Sequence, residues 1–265
     1  MKIGLKTLGG TGAQIPEIGL GTWNYTADTA PLEAGIKLGS RFIDTAEGYG
    51  TERVSGEAAR RACGDVFMAT KVSGRNLGYD NVLKSADASL EKLGVDVIDL
   101  YQIHWANPVF SIKDTMRAMS KLLDNGLARY IGVSNFSVAE FEEAQSYMPN
   151  ARIVSNQVRY SLNDRQIEDD LLPFCERNGV TLIAYTPLDS GRLCRESSGG
   201  GYGLLSKIAR ETDKTEAQVA LNWCLCRDCV VVIPKSDSIE RTVENCGCSG
   251  WRLDDAQFRA LCEAF

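Results

Sequence analysis

Residues 41–50 read R-F-I-D-T-A-E-G-Y-G and join a short apolar run to two chemically versatile side chains. Phe42 and Ile43 have the character of a buried strand, and Asp44 follows them directly. Tyr49 lies between Gly48 and Gly50, and glycines allow the backbone to turn tightly. The segment therefore predicts the end of a strand, where an acid and a phenol can share one site.

The same pattern recurs along the chain, because short apolar, β-branched runs alternate with segments of helical periodicity. Eight such runs occur, at residues 18–20, 41–43, 66–69, 97–103, 130–133, 153–155, 180–184 and 230–233. Strands that alternate with helices pair in parallel through right-handed crossovers, and eight such units predict an α/β fold, a closed (β/α)8 TIM barrel. An open doubly wound sheet is the alternative. Residues 19–24, however, lack the third glycine of its dinucleotide-binding G-x-G-x-x-G motif.

The ends of the predicted elements carry recognisable local signals. Residues 2–16 contain the turn sequence G-G-T-G at 9–12 and predict an N-terminal β-hairpin at the barrel bottom. Ser137 with Glu140, and Thr215 with Gln218, have the spacing of helix-capping boxes. No linker or break in composition divides the chain, so we expect residues 1–265 to form a single barrel domain.

Charge and hydropathy exclude two classes of partner. The formal net charge is −6, and no run of Lys and Arg offers a basic surface to nucleic acid. No window approaches the roughly 18 apolar residues that a membrane span requires, and the N-terminus lacks the apolar core of a secretory signal. These features predict a cytoplasmic protein without nucleic-acid or membrane partners, with a monomer as the default state.

Nine cysteines, an odd number in a long chain, favour reduced thiols over a disulfide framework. Cys224, Cys226 and Cys229 have the spacing C-x-C-x-x-C, which differs from the paired C-x-x-C of a zinc knuckle. We therefore interpret them as small buried hydrophobic residues and expect no metal. A redox or metal role for this cysteine-rich region stays open.

Polar and aromatic residues cluster where the predicted strands end, which is where active sites lie in (β/α)8 barrels. They are Asp44, Thr70, Lys71, Gln102, His104, Trp105, Ser134, Asn135, Asn156, Gln157, Tyr185, Lys235 and Ser236. We expect these side chains to converge at one mouth of the barrel.

Three neighbouring strand ends supply four side chains suited to proton transfer, those of Asp44, Tyr49, Lys71 and His104. His104 is the only histidine, which excludes a histidine-rich metal site, and no G-x-S-x-G motif supports a serine nucleophile. A phenol, with a reference pKa of about 10, is a weak acid unless a cation lies near it, and Lys71 supplies one. Asp44 would hold Lys71, Tyr49 would act as general acid toward an oxyanion, and His104 would orient the carbonyl oxygen or share the proton.

A hydride donor is missing from this set, and other strand ends offer groups that suit one. The amides of Asn135 and Gln157 match a carboxamide, and Tyr185 can stack on a flat ring.

Six motifs occur in order across essentially the whole chain. They are D-T-A-E-G-Y-G at 44–50, A-T-K at 69–71, Q-I-H-W at 102–105, G-V-S-N-F at 132–136, N-Q-V at 156–158 and A-Y-T-P-L at 184–188. In these motifs the sequence resembles the aldo-keto reductase superfamily. The resemblance implies a catalytic tetrad of Asp44, Tyr49, Lys71 and His104, which reduces the carbonyl of a small aldehyde or ketone to an alcohol.

The resemblance also implies the coenzyme contacts. They are Gly21, Thr22, Asp44, Ser134, Asn135, Gln157, Tyr185, Pro187, Leu188, Lys235, Ser236, Arg241, Glu244 and Asn245. Lys235, Ser236 and Arg241 would grip a 2′-phosphate, while Glu244 and Asn245 would face the adenine. Arg offers a planar fork and Lys a point charge to phosphate, which predicts NADPH (NADP+), with NADH as the less favoured coenzyme.

Trp23 and Trp105, together with Tyr49 and His104, are predicted to contact the substrate. Residues 189–203 contain three consecutive glycines and are predicted to form a mobile loop over the coenzyme. The alternative function is a non-catalytic nicotinamide-binding module that senses redox state. The intact tetrad argues against it.

Overall fold

The computed structural model describes residues 2–62, 64–195 and 198–265, and its strands follow the predicted alternation. The strands are β1 (Leu5–Thr7), β2 (Gln14–Pro16), β3 (Leu20–Gly21), β4 (Phe42–Asp44), β5 (Phe67–Val72), β6 (Ile98–Ile103), β7 (Ala128–Ser134), β8 (Ile153–Arg159), β9 (Thr181–Tyr185) and β10 (Val230–Val232). Strands β3 to β10 pair in parallel and in sequence order within one sheet. All eight predicted barrel strands are present.

Helices connect these strands and cover the outside of the sheet. They are α1 (Ala30–Leu38), α2 (Glu52–Arg61), α3 (Tyr79–Leu93), α4 (Ile112–Asp124), α5 (Val138–Ser146), α6 (Leu171–Asn178), α7 (Gly200–Thr212), α8 (Glu216–Leu225), α9 (Ile239–Cys246) and α10 (Asp255–Ala264). Both predicted capping boxes are formed, at the starts of α5 and α8. Within the described residues, no helix is long and apolar enough to cross a membrane.

The first and last strands of the sheet meet and close the barrel. Isolated parallel bridges join Ile18 to Val232 and Gly21 to Lys235. Gly19 N donates to Val232 O at 2.8 Å, and Gly21 N donates to Pro234 O at 3.2 Å. The fold is therefore the predicted (β/α)8 barrel rather than an open doubly wound sheet.

The N-terminal hairpin of β1 and β2 lies at one end of the barrel, as predicted. Leu8 and Ile15 are buried in one cluster with the inward-facing Phe42, Leu100 and Val231. Apolar side chains thus fill the lower part of the barrel, and the hairpin covers this end. The polar strand ends lie at the opposite end, which we call the mouth.

Two details differ from the sequence prediction. Strands β5, β7 and β8 extend beyond the apolar runs, so that the predicted strand-end residues Lys71, Ser134 and Gln157 lie within the strands. Residues 189–203 are also not one loop. A 3-10 segment covers Asp189–Cys194 and helix α7 begins at Gly200, where the ring of Tyr202 packs against Phe265 at 5.4 Å. Residues 196 and 197 lie outside the described part of the chain.

Candidate active site

Asp44 and Lys71 form an ion pair in the barrel interior, just below the mouth. Lys71 Nζ lies 2.5 Å from Asp44 Oδ1 and also donates to Thr45 O at 2.9 Å. Lys71 has no exposed surface, and Asp44 is 2% exposed. Burial lowers the pKa of Lys71, while the carboxylate of Asp44 opposes this by stabilising the ammonium. Each charge therefore depends on the other, because an unpaired charge in the interior is costly.

The turn after β4 holds Tyr49 above this ion pair. Tyr49 ends a 3-10 segment, Glu47–Tyr49, and the buried Thr45 and Thr51 flank this segment in the sequence. Thr51 Oγ1 lies 2.9 Å from Thr22 Oγ1 and 2.8 Å from Thr45 Oγ1. Thr22 also donates to Asp44 O at 3.0 Å. The hydroxyl cluster thus joins the loops after β3 and β4 and fixes the turn that carries Tyr49.

The structure brings the four predicted catalytic side chains together. Tyr49 OH lies 3.2 Å from His104 Nε2, and the two rings meet edge to face with centroids 5.3 Å apart. Lys71 Nζ lies 5.0 Å from the centre of the Tyr49 ring. The contacts run in a chain from Asp44 through Lys71 and Tyr49 to His104.

The environment of Tyr49 keeps its phenol protonated. Burial raises the pKa of Tyr49 well above its ordinary value, and the nearby Asp44 carboxylate raises this pKa further. The role of Lys71 in making the phenol more acidic stays a prediction. A protonated phenol is nonetheless the form that can donate a proton to a more basic oxygen.

His104 is neutral near pH 7. Burial is the main cause that lowers the pKa of His104 to about 4, and the Lys71 ammonium contributes to the same shift. A neutral imidazole donates one hydrogen bond and accepts another, so it can hold a carbonyl oxygen and the Tyr49 hydroxyl in register without carrying charge.

We expect His104 to make the protein less stable as the pH falls. Between the folded-state pKa of about 4 and an unfolded-state pKa of about 6.5, the unfolded chain binds a proton that the folded protein does not. The free energy of unfolding should therefore decrease as the pH drops through this window, by less than about 1.4 kcal/mol per pH unit for one proton.

The His104→Gln variant checks this expectation. It removes the only histidine and leaves the acidic residues that titrate over the same range. Urea unfolding of both proteins at several pH values should show a shallower dependence for the variant. Parallel curves for the two proteins would contradict the low pKa of His104.

Four predicted coenzyme-binding residues form one network beside the tetrad. Tyr185 OH donates to Asn135 Oδ1 at 2.9 Å, and Asn135 Nδ2 donates to Ser134 Oγ at 3.0 Å. Ser134 Oγ donates in turn to Gln157 O at 2.8 Å. Asn135 has φ 61°, in the left-handed region that asparagine tolerates better than most residues. The network places two amides and one aromatic ring at neighbouring strand ends.

Gln157 connects this network to the ion pair. Its Nε2 donates to Asp44 Oδ2 at 2.8 Å. No hydrogen bond within the described part of the chain reaches Gln157 Oε1. One face of this amide is therefore bound to the tetrad, and its acceptor oxygen is available to a ligand.

The predicted phosphate- and adenine-binding residues lie on the segment after β10 and along α9. Lys235 and Ser236 follow β10, whereas Arg241, Glu244 and Asn245 belong to α9. Gly21, Ser236 and Asn245 line the same small cavity. The predicted contacts on the first and last barrel strands are thus neighbours.

An acidic residue lies among these contacts and was not anticipated. Lys235 Nζ lies 2.5 Å from Asp237 Oδ2, and Asp237 Oδ1 accepts from Thr26 N at 3.0 Å. The amine of Lys235 is therefore occupied by Asp237 in the structure. An incoming phosphate must compete with this carboxylate.

The remaining predicted contacts surround the mouth. Trp23 is 58% exposed and Trp105 is 52% exposed, which is unusual for large apolar side chains. Thr22 is fully buried and contributes to the hydroxyl cluster rather than to an open surface. Pro187 and Leu188 follow β9, where residues 186, 189 and 190 all have positive φ. Such backbone is sparsely populated and marks segments with a constrained role.

Sequence reasoning missed the roles of three further groups. Gln102 was noted as a polar strand end, but its contact with Asp44 Oδ2 at 3.2 Å was not foreseen. The threonine cluster and Asp237 were missed as well. The sequence signal for Gln102 and the threonines is a polar residue at the end of a buried strand. The signal for Asp237 is an acidic residue directly after the predicted phosphate-binding segment.

The cysteines form no metal centre within the described residues. No group of three or more His, Cys, Asp or Glu side chains there can hold a metal ion. The cysteines that the structure describes are free thiols, and burial raises the pKa of Cys229 to about 11. Thiols with such a raised pKa are weak nucleophiles near neutral pH.

Comparisons with known proteins agree with this geometry. A sequence profile of the Aldo/keto reductase family matches residues 17–264. The chain is 35% identical over 262 residues to a methylglyoxal reductase of Escherichia coli (strain K12), covering 95% of this chain and 91% of that protein.

Solved structures show the same similarity. A thermostable aldo-keto reductase in complex with the inhibitor epalrestat is 38% identical, with a TM-score of 0.92 over 99% of this chain and 100% of that chain. An aldo-keto reductase from Klebsiella pneumoniae in complex with NADPH is 33% identical, with a TM-score of 0.86 over 98% of this chain and 94% of that chain.

Proposed function

The chain belongs to the aldo/keto reductase family and is an NAD(P)H-dependent oxidoreductase, and on this premise we propose that it uses NADPH to reduce small aldehydes or ketones to alcohols. The observation that carries the proposal is the contact of a protonated Tyr49 hydroxyl with a neutral His104, 3.2 Å apart, above the buried Asp44–Lys71 ion pair. This arrangement suits delivery of a proton to a carbonyl oxygen.

The donor set at the mouth fits a nicotinamide coenzyme. No described residue donates a hydrogen bond to Gln157 Oε1, so this oxygen can accept one from a ligand. The half-buried Tyr185 belongs to the same hydrogen-bond network, which reaches the Gln157 backbone through Asn135 and Ser134. A carboxamide offers N–H donors that match the Gln157 oxygen, and a pyridine ring matches an aromatic face. When it is bound, NADPH supplies the hydride that the carbonyl carbon accepts.

The residues of the chain would divide the remaining work. Tyr49 would donate its phenol proton to the oxygen as negative charge develops there, because an alkoxide is far more basic than a phenolate. His104 would hold the carbonyl oxygen through its neutral imidazole. Lys71 would stabilise the phenolate that remains, since its ammonium lies 5.0 Å from the ring centre.

The preference for NADPH would come from Lys235, Ser236 and Arg241. A guanidinium and an ammonium together favour the dianionic 2′-phosphate, which NADH lacks. The contact of Lys235 with Asp237 reduces this preference, because the carboxylate repels the phosphate.

We expect the Lys235→Ala/Arg241→Ala variant to lose NADPH affinity about 100-fold, because hydrogen bonds to charged groups contribute ~1.5–3 kcal/mol each. The affinity for NADH, which lacks the 2′-phosphate, should change about threefold or less. Dissociation constants from tryptophan fluorescence quenching measure both. The Arg259→Ala variant, which removes an exposed charge from α10, serves as the control. Equal losses for both coenzymes would contradict the assignment of the 2′-phosphate site.

The substrate class follows from the exposed indoles and from the similarity to a methylglyoxal reductase. Trp23 and Trp105 would form apolar walls on either side of a small carbonyl compound. We therefore propose short aldehydes, including 2-oxoaldehydes, as substrates.

A direct test mixes the purified protein with NADPH and a panel of short-chain, aromatic and 2-oxo aldehydes. The decrease in NADPH absorbance should depend on both protein and aldehyde. If the rate with every aldehyde equals the rate without aldehyde, the proposed reduction is excluded, and tight NADPH binding alone would then favour the sensing module.

A further inference from the structure

We propose that Gln102 is a positioning residue that sets the orientation of the coenzyme-binding amide of Gln157 through a closed triangle with Asp44. The inference rests on the proposed function, because Gln157 is taken there as the contact of the nicotinamide carboxamide. Gln102 lies on β6 in the layer of inward-facing polar side chains and is fully buried.

The triangle consists of three hydrogen bonds. Gln102 Nε2 donates to Asp44 Oδ2 at 3.2 Å, and Gln157 Nε2 donates to the same oxygen at 2.8 Å. Gln157 Nε2 also donates to Gln102 Oε1 at 3.4 Å. Each corner is 2% exposed or less, so water does not compete for these contacts.

The charge of Asp44 determines which way both amides point. An ionised carboxylate only accepts hydrogen bonds, so each amide must turn its nitrogen toward it. Gln102 Oε1 then accepts the second hydrogen of Gln157 Nε2 and removes the freedom of that amide to rotate. As a result, Gln157 Oε1 points away from the triangle, toward the side where a carboxamide can donate to it.

Neighbouring strands leave room for this arrangement. Gly132 lies opposite Gln102 on β7, and a Cβ at this position would meet Ser155 Oγ at 2.3 Å and Gln102 Cγ at 3.1 Å. Glycine therefore vacates the space through which the stem of Gln102 passes. An apolar side chain at 102 would fill the barrel equally well, but it would leave Asp44 Oδ2 with one donor fewer and Gln157 without its second acceptor.

The test compares two oxidised coenzymes that differ only at the carboxamide. NADP+ carries an NH2 group that can donate to Gln157 Oε1, and the 3-acetylpyridine analogue carries a methyl group instead. The wild-type protein should bind NADP+ about tenfold more tightly than the analogue, since the analogue leaves a polar acceptor unmatched. In the near-isosteric Gln102→Met variant this ratio should fall to about threefold or less, because the Gln157 amide is then held by Asp44 alone and can tilt away from the carboxamide.

Two further variants separate positioning from packing. Tyr101→Phe changes the adjacent residue on β6, whose buried hydroxyl has no hydrogen-bond partner among the described residues, and it should keep the wild-type ratio. Gln102→Glu places a carboxyl group against Asp44, within the same interior layer as Lys71 and near the titratable Tyr49, His104 and Tyr185. Its ratio should approach the wild-type value at low pH, where the introduced carboxyl is protonated and donates to Asp44, and should fall as the pH rises.

Binding is followed by fluorescence quenching, and far-UV circular dichroism confirms folding of each variant. A wild-type protein that binds neither coenzyme would overturn the proposed function, and this inference with it. If the wild-type protein binds NADP+ but folded Gln102→Met keeps the wild-type ratio of NADP+ affinity to analogue affinity, the role of Gln102 alone is overturned. The same holds if Gln102→Glu keeps that ratio at high pH.

Discussion

Replacement of Tyr49 by phenylalanine is expected to lower kcat for aldehyde reduction about 1000-fold, within the range of about 10²–10⁴ that a positioned general acid contributes. The variant keeps the ring that packs against His104 and loses only the hydroxyl that lies 3.2 Å from Nε2. Coenzyme binding should change about twofold or less, because no hydrogen bond in the described part of the chain joins Tyr49 to Asn135 or Gln157. Steady-state kinetics and fluorescence titration measure the two quantities.

Two comparisons make the Tyr49 result specific. Tyr101→Phe removes another buried phenol hydroxyl, one without a hydrogen-bond partner among the described residues, and should leave kcat unchanged. Asp44→Asn should slow turnover less than Tyr49→Phe does, because the carboxylate does not donate the proton itself and acts through the groups that it positions, Lys71 and Gln157. The roles are assigned wrongly if Tyr49→Phe keeps more than about a tenth of the wild-type kcat. They are also assigned wrongly if Asp44→Asn lowers kcat more than Tyr49→Phe does.

Replacement of Lys71 by methionine is expected to destabilise the protein by about 3–5 kcal/mol, because it leaves Asp44 as a buried charge without its cationic partner. Methionine has a similar length and keeps the interior filled. The same change should also lower kcat strongly, since the ammonium near the Tyr49 ring is lost. Urea unfolding at neutral pH measures stability, and NADPH oxidation measures turnover.

The double variant Asp44→Asn/Lys71→Met separates these two effects. It removes both charges and keeps an amide oxygen that can accept from Gln102 and Gln157. Stability should return to within about 1–2 kcal/mol of the wild-type value, as is common when a buried ion pair is replaced as a unit. Turnover should stay low, because the ammonium is still absent. Equal stability in the wild type and the Lys71→Met variant would contradict a tightly coupled ion pair.

Much of the barrel could be predicted from the sequence because its strands bury both faces. Such strands appear as continuous apolar runs, and the runs at 97–103 and 230–233 agree closely with β6 and β10. The convergence of Asp44, Tyr49, Lys71 and His104 also followed from topology, because parallel strands carry their carboxyl ends to the same side. The roles assigned to these residues remain predictions.

Other features depend on contacts that no sequence pattern records. Strand β8 continues through the polar Asn156 and Gln157, since backbone pairing with β7 and β9 extends beyond the apolar run. The glycines near residue 200 suggested a loop, but tertiary packing of Tyr202 on Phe265 accompanies a helix. The contact between Gln102 and Asp44 likewise depends on the rotamers of two side chains distant in the sequence.

Closure of the barrel has a consequence for folding kinetics. The seam between β3 and β10 consists of isolated bridges, and Thr26 and Asp237, which join across it, are 211 residues apart in the sequence. Contacts of such high contact order form late, after the entropy of closing the intervening chain has been lost. The seam is therefore expected to be among the last parts to form and the first to open in native-state hydrogen exchange. A dinucleotide that bridges both strands would slow that opening, so the occupancy of the coenzyme site and the lifetime of the closed barrel would rise together.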